Sequence, residues 1–441
     1  MRPESERIGS RQMKTIKVGL VGWGTVGSGV LKILKANGSL ISRRLGAKLE
    51  VVRVADLDLD TPRSVKLPAS RLTRDALSVA RDPQVDILVE LIGGLDPAEE
   101  IILAALKAGK AVVTANKAVL AVRGRRIFAA AARAGRPVFF EASVGGAIPV
   151  IKGLREGLAA NRISSILGIV NGTTNYILSR MTSEGISLAE ALEEAQKLGY
   201  AEPDPSLDLA GKDSAHKLVI LASLAFGDWL EPRGILLEGI ERISSEDILY
   251  TGELGYVIKL LAIAKASPGG LELRVHPTLL PRNHLLASVS GVLNAVYLEG
   301  DFSGPSMFYG RGAGAGPAAS AVVADLMEAG QALNTGAGTG PGRLPSPQKL
   351  DRLPVGDIRC RHYLRVQAPD RPGVLARIAS ILADHDIGIA SVIQRGRRKK
   401  GAVPVILMTH QAPEREMAAA LRKIARVAAV KERPFRLRVE D

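Results

Sequence analysis

A chain of 441 residues has room for two or three domains, and a hydrophobic content of 46% supplies real cores. Its 59 Lys and Arg against 45 Asp and Glu leave a formal charge of +14, but aromatics make up only 4% and the basic residues are scattered along helices, which argues against a nucleic-acid binder. No apolar run reaches the roughly 18 residues of a membrane span, the N-terminus has no apolar signal region, and the single cysteine, Cys360, excludes an internal disulfide framework and a multi-cysteine zinc site, so a cytoplasmic protein without membrane or nucleic-acid partners is expected.

Residues 1–12 are polar, charged and without period, and are expected to form a disordered tail, with Met13 directly before the first strand. Ile16 to Val21 reads as a short apolar strand, followed at once by Gly22-Trp23-Gly24-Thr25-Val26-Gly27 and a helix expected to end at Asn37-Gly38. This is G-x-G-x-x-G between a strand and a helix. Gly22 permits the tight turn, Gly24 lets a pyrophosphate approach the backbone, and Gly27 lets helix and strand pack closely, with the helix N-terminus at Thr25 and Val26 facing the phosphates. A second strand, Leu49 to Ala55, ends in Asp56, where dinucleotide folds place the acid that holds the ribose 2′-hydroxyl, at a spacing lengthened by an insertion around Leu40 to Gly46. An acid there favours NAD, and Arg63 on the loop beyond keeps use of NADP open.

Val85 to Ile92 reads as a buried strand opening to Gly93-Gly94, then come a helix near Pro97 to Ala108 and the strand Ala111 to Thr114. Lys117 stands at the carboxyl end of that strand, where open α/β sheets bind ligands, which points to catalysis or cofactor binding. A helix at about Gly124 to Ala134 and the strand Pro137 to Phe140 lead into Glu141-Ala142-Ser143-Val144-Gly145-Gly146-Ala147-Ile148-Pro149, a Gly-rich crossover. The dinucleotide-binding domain is therefore expected to span 13–148.

Residues 149–312 read as an α+β region for substrate binding and dimerisation. Ile163 to Ile169 is a strand, and Asn171-Gly172-Thr173-Thr174-Asn175 caps a helix from about Tyr176. A polar helix, Ser187 to Leu198, delivers the most informative run of the chain, Gly199 to Lys217, in which four carboxylates and two lysines crowd into a turn and the start of a helix. Prolines 203 and 205 hold Glu202 and Asp204 in an extended turn. Asp213 and Lys217 lie four apart on one helical face. An ion pair on a solvated face would account for them alone, but the apolar run Leu218 to Leu221 argues for a partly buried pair, and buried charges need partners or a function. Strands are expected near Ile235 to Ile240 and Leu271 to Thr278, with a helix at about Ser245 to Ala266 between them. Tyr309 to Gly316 precedes a small-residue helix, Pro317 to Ala329, and residues 334–357 are rich in Gly and Pro, as a linker is.

Residues 358–441 read strand (His362 to Val366), helix (Pro372 to Asp384), strand (Ile387 to Gln394), strand (Val403 to Thr409), helix (Arg415 to Ala425), strand (Phe435 to Val439). That is βαββαβ, a ferredoxin-like unit with its own core. The cluster Arg395, Arg397, Arg398, Lys399 and Lys400 reads as a solvated hairpin tip, and Cys360 as structural.

Five blocks in this order, the Gly22 turn, Thr114-Ala115-Asn116-Lys117, the Glu141 loop, the Gly199 to Lys217 run and Tyr309 to Gly316, resemble the homoserine dehydrogenases. These enzymes reduce aspartate 4-semialdehyde to homoserine with a nicotinamide cofactor. The resemblance implies a Rossmann-type domain completed by residues 313–333, with Gly314 and Lys117 at the cofactor. It implies a substrate pocket of Glu202, Tyr200, Asp208, Gly172 and Thr173, with Glu202 for the ammonium. It makes Lys217, oriented by Asp213, the proton donor and Lys117 its rival. It implies a monovalent cation, usually sodium, at Glu141, Val144, Gly146 and Ile148, where oxygen ligands suit a hard ion. Asp370-Arg371-Pro372-Gly373-Val374-Leu375 resembles the loop of ACT amino-acid-sensing modules, which implies threonine as effector, a homodimer or homotetramer, and a module removable near Arg352 without loss of hydride transfer. A dimerising appendage is the plainer alternative for that module. For the whole chain, an amino-acid sensor or a dehydrogenase of another small aldehyde remains open, although both lysines and all the pocket carboxylates speak against a sensor.

Overall fold

The computed structural model describes residues 13–335, 351–394 and 401–440. The expected tail, most of the expected linker and the basic hairpin tip lie outside them. The described residues divide into two compact units, one of residues 13–151 with 313–335, the other of residues 152–312 with those described from 351 to 440.

The first unit is built on six parallel strands, β1 (Lys14–Val21), β2 (Ala47–Ala55), β3 (Leu72–Thr73), β4 (Ile87–Glu90), β5 (Ala111–Thr114) and β6 (Val138–Phe139). Their order, β3-β2-β1-β4-β5-β6, reverses between β1 and β4, so the turn after β1 lies at a topological switch point. The helix Thr25–Leu45 packs beside the helix Ala315–Thr335 over a core of Ile16, Val18, Leu31, Val51, Val322 and Leu326. The first helix continues past Asn37-Gly38 to Leu45, which corrects the expected end. Ile41 and Leu45 extend its buried stripe beyond Val30 and Leu31, and burying them outweighs the cost of about 1 kcal/mol for an interior glycine. Gly46, at φ +69°, then ends the helix in the left-handed conformation. The supposed insertion before Asp56 is these added helical turns. Two further helices also begin early: Lys117–Ala134, capped by Asn116, and Gly172–Glu184, capped by Asn171.

The second unit holds one large mixed sheet. Its strands are β7 (Ile163–Ile169), β8 (Leu236–Leu237), β9 (Tyr256–Ser267), β10 (Gly270–Pro281), β11 (Leu293–Gly300), β12 (Gly304–Arg311), β13 (Arg359–Ala368), β14 (Ile389–Gln394), β15 (Val403–Thr409), β16 (Ala412–Pro413) and β17 (Phe435–Val439). The order is β12-β11-β7-β9-β10-β17-β13-β15-β14, with β8 on β10 and β16 on β13. The expected helix Ser245 to Ala266 is instead a helix, Ser245–Glu253, and the strand β9. β9 is buried on both faces through Ile258 to Ala264, so it shows no alternation and mimics a buried helix in sequence. Pairing with β10 along its whole length decides the outcome. β11 and β12 went unread for the same want of a clean pattern.

Residues 358–440 form the βαββαβ unit with its own core of Leu364, Val366, Ile378, Leu382, Leu407 and Met417. Its sheet is nevertheless continuous with the larger one, because β17 pairs in parallel with β10 at Thr278–Arg438 and Leu279–Val439. The preceding stretch is pinned as well: Leu271 N donates to Asp351 O at 2.8 Å, and Arg352 Nη2 to Glu231 O at 2.5 Å. Charged groups fill the seam. Arg438, with 0% exposure, donates to Glu414 at 2.6 and 3.0 Å and to both Glu238 oxygens at 2.9 Å. Arg365 donates to the fully buried Asp247 at 2.8 and 3.1 Å, and Tyr363 Oη at 3.1 Å. The terminal region is therefore a lobe of the second unit, and cutting near Arg352 would strand Asp247 and Glu238 without their partners.

Burial pushes the Glu414 carboxyl upward, but hydrogen bonds and charge from Arg438, then Arg436, overcome this and hold it at about 2, below its ordinary 4.5. Its contribution to stability is thus complete above pH 4.5 and lost as the pH falls toward 2. Arg438→Met is expected to destabilise the second unit by about 3–5 kcal/mol, the cost of leaving buried carboxylates unpaired. The chain has two tryptophans, and in a Trp23→Phe background the fluorescence of Trp229 during urea unfolding reports this unit alone; a loss below about 1 kcal/mol would refute the role of the seam.

Candidate functional site

In the first unit the turn after β1 forms a cradle. Gly22 has φ +99° and its back against the Leu91 carbonyl, so a Cβ there would lie 2.8 Å from Leu91 C. A Cβ on Gly27 would overlap the Gly22 carbonyl oxygen, whereas one on Gly24 would meet nothing within 4 Å. The cradle is closed behind Gly27 and open before Gly24, as a phosphate approaching the backbone requires. Asp56 accepts from Trp23 N and, at 2.9 Å, from Asp58 N, so its carboxylate ties the glycine turn to the loop after β2. Arg63 lies over the Trp23 ring at 5.6 Å and donates to Asp58 O at 2.9 Å. Two buried N–H groups, Trp23 Nε1 and Arg63 Nε, have no hydrogen-bond partner among the described residues, which fits a site completed by a ligand. Thr25 and Val26 open the helix here. Gly314, at φ +117°, precedes the helix Ala315–Thr335, whose first turn is brought against Gly29.

At the carboxyl ends of β4 and β5 stands a residue that sequence reasoning missed. Glu90 is fully buried; Thr114 Oγ1 donates to its Oε2 at 2.6 Å and Ile92 N to its Oε1 at 2.9 Å. Asn116 Nδ2 donates to Gly94 O at 2.8 Å while its Oδ1 caps Val119 N at 3.1 Å. Burial pushes the Glu90 carboxyl up. This network holds the Gly93-Gly94 loop to the start of the helix that Lys117, half-buried, opens. The signal was a lone carboxylate closing an apolar strand.

Glu141 is buried, accepting from Ile151 N through Oε1 at 2.9 Å, while its N–H donates to Asp325 at 2.9 Å. Gly145 and Gly146 both take positive φ and turn the following loop back. The Ile148 carbonyl accepts from Val150 N at 2.8 Å and retains a second lone pair. The Glu141 carboxylate and the carbonyls of this loop offer only oxygen atoms, the ligand type of a hard cation.

In the second unit the expected pair is buried, with Asp213 and Lys217 each 8% exposed. Lys217 Nζ donates to Asp213 Oδ2 and to Val170 O, both at 2.6 Å. Two of its three donors are thereby spent and one remains. Asn171, read from sequence only as a helix cap, does more: its Nδ2 donates to Asp208 Oδ1 at 2.7 Å and to Asp213 Oδ2 at 2.9 Å, while its Oδ1 caps Thr174 N at 2.9 Å. One amide thus joins Asp208, Asp213 and, through Asp213, Lys217. Thr173 Oγ1 donates to Tyr200 O at 2.8 Å, and the Tyr200 ring rests 5.1 Å from that of Tyr176. Gly172 packs so closely that a Cβ would come within 2.9 Å of Val292 O. Glu202 stays exposed on the turn, its carbonyl accepting from Gln196 Nε2 at 3.3 Å, and no hydrogen bond or ion pair among the described residues links its carboxylate to the Asn171 cluster. A cavity of about 650 Å³ in this unit lies elsewhere, between the helix Glu414–Ile424 and Arg242, and shares Glu238 and Arg436 with the seam.

The chain matches the family profile "Homoserine dehydrogenase" over residues 149–327, "Homoserine dehydrogenase, NAD binding domain" over 22–141 and "ACT domain" over 362–428. The homoserine dehydrogenase of Pseudomonas aeruginosa is 45% identical over 437 residues, covering 97% of this chain and 100% of that protein. The crystal structure of a homoserine dehydrogenase from Thiobacillus denitrificans superposes with a TM-score of 0.91 at 46% identity, covering 97% of this chain and 99% of that one. A hyperthermophilic archaeal homoserine dehydrogenase in complex with NADPH aligns at a TM-score of 0.61 and 27% identity, covering 75% of this chain and 100% of that one.

Proposed function

The chain belongs to the homoserine dehydrogenase family of NAD(P)-dependent oxidoreductases, and from that premise we propose how its residues divide the work. The observation that carries the reading is the buried Lys217–Asp213–Asn171–Asp208 cluster, with one lysine donor unspent. When bound, NAD(P)H supplies the hydride for the aldehyde carbon of aspartate 4-semialdehyde. Lys217 Nζ gives its proton to the aldehyde oxygen as that oxygen becomes the hydroxyl of homoserine. Asp213 and the Val170 carbonyl orient the ammonium, and Asp213 offsets its charge in the interior. Asp208, Thr173, Gly172 and Tyr200 border the substrate, and the exposed carboxylate of Glu202 receives its ammonium. Lys117 stands as the alternative proton donor or as a cofactor ligand. The turn Gly22 to Gly27 and Gly314 hold the cofactor phosphates, with Asp56 toward the ribose. Glu141, Val144, Gly146 and Ile148 would hold a sodium ion, their oxygens supplying the hard ligands it takes.

The terminal lobe is read as the sensor of threonine. Gly373, at φ +87°, turns the Asp370 to Leu375 loop into the helix Val374–Ala383, and Gln394 Nε2 donates to Asp370 at 3.2 Å. β14 ends the sheet with Val392 40% exposed, and Leu375 on the nearby helix is 37% exposed. Such an edge suits pairing with a second copy of the chain in a homodimer or homotetramer, with threonine at the paired loops.

Lys217→Ala is expected to lower kcat by about 10²–10⁴-fold, the range for loss of general acid catalysis, in a protein that remains folded. Near-normal turnover would pass the role to Lys117. NADH is expected to serve at least as well as NADPH in side-by-side steady-state kinetics, with Arg63→Ala weakening NADPH more than NADH; a large preference for NADPH in the parent chain would overturn the ribose role of Asp56. Millimolar threonine is expected to slow the full-length enzyme and to release or absorb heat in calorimetry. A rate indifferent to threonine with no heat would leave the lobe as an assembly element.

A further inference from the structure

Asp208 sits on a helix that cannot hold itself in place. Ser206–Leu209 is a single turn with no buried residue, follows Pro205, and gives way to Gly211 at φ +76°, the entry to the helix Lys212–Phe226. A turn of this length has no intrinsic stability. The Leu209 carbonyl is satisfied from outside, by Ile240 N at 2.9 Å. The neighbouring Gly239 lies so close that a Cβ would overlap the Leu209 carbonyl oxygen and come within 2.7 Å of Ala210 Cα. Gly211 in turn packs on Leu237 and Val275, each 3.1 Å from where a Cβ would stand. The strap Leu236 to Ile240 therefore braces the joint between the helix of Asp208 and the helix of Asp213 and Lys217.

The strap is itself short of support, since β8 is only two residues long. Glu238 fastens it. Its N–H donates to Val275 O at 2.9 Å, and its carboxylate accepts from Arg438 Nη1 and Nη2 at 2.9 Å and from Arg436 Nη2 at 3.2 Å. Both arginines belong to β17 of the terminal lobe, and Arg438 is shared with Glu414. The line of contacts is unbroken: β17 arginines, Glu238, Gly239 and Ile240, the Leu209 carbonyl, Asp208, then Asn171.

We propose that Glu238 is a positioning residue for the substrate pocket, setting through Gly239 and Ile240 the place of Asp208, and that Arg436 and Arg438 make the terminal lobe part of the pocket's scaffold. The proposal rests on the reading of Asp208 as a substrate-binding residue. It touches no reacting atom, so its mark is a change in substrate affinity rather than in the chemical step.

The test is steady-state kinetics of the full-length enzyme at saturating cofactor with aspartate 4-semialdehyde varied, beside thermal unfolding of each variant. Glu238→Gln, which keeps the shape and loses the charge, is expected to raise KM about ten-fold while kcat stays within about two-fold, the scale of a weakened charge-assisted hydrogen bond. Glu238→Asp should restore part of the affinity. Gly239→Ala perturbs the same turn by crowding and should give the same split. Unchanged KM in both Glu238→Gln and Gly239→Ala, or a fall in kcat that tracks a fall in Tm, would overturn the proposal. Asp208→Asn separates the two levels. If it leaves KM unchanged, the reading of Asp208 fails and the proposal with it; if it raises KM while the strap variants do not, the proposal alone fails.

Discussion

A guanidinium with no exposure to water must be surrounded by acceptors, and Arg438 is surrounded by two carboxylates drawn from distant parts of the chain. Glu414 comes from the terminal lobe and Glu238 from the strap Leu236 to Ile240. The charge cannot be buried unless both arrive, so the ion network obliges β17 to dock against β10 beside the strap, whose β8 pairs with the same strand. Uncharged neighbours confirm how dry the seam is. Burial pushes the Cys360 thiol up to about 12 and the His362 imidazole down to about 3, so both stay neutral beside Glu414. The three offer atoms close enough for a metal ion, but Glu414 is already committed to Arg438 and Arg436.

The cluster around Lys217 is built on the same logic at smaller scale. Lys217 and Asp213 neutralise one another, Val170 takes a second lysine proton, and Asn171 takes up the carboxylates. An asparagine is suited to this because one amide both caps a helix through its oxygen and bridges two acids through its nitrogen. The main-chain geometry of the cap thereby becomes the geometry of the site. In the first unit Glu90 does similar work, tying Thr114 and the Ile92 amide while Asn116 holds Gly94.

Much of the fold was legible where one element declared its own pattern. The strand, glycine turn and helix at Ile16 to Gly27 needed only local chemistry, and so did the βαββαβ order of residues 358–441. Reading failed where a pattern was averaged away by burial on both faces, as in β9, or where a glycine that usually stops a helix was overruled by Ile41 and Leu45 packing beyond it. It was silent on how the terminal lobe docks. A Gly/Pro-rich stretch suggests a tether, but nothing local to it reveals that β17 completes the neighbouring sheet.

By itself the sequence determined the things that lie within one turn or one helix: the closed back and open front of the Gly22 cradle, the shared face of Asp213 and Lys217, and the family that these blocks resemble. These follow from bond geometry and from a helical repeat that brings residues four apart together. Tertiary structure alone decided that Asn171 reaches Asp208 and Asp213, 37 and 42 residues onward, and that Arg438 reaches Glu238 across 200. The reason is physical: a charge or amide in sequence shows only what it can bond, and its partner is fixed by which apolar surfaces the chain buries together. Once those surfaces close, water is excluded and each stranded polar group must find the partner that the packing has brought within reach.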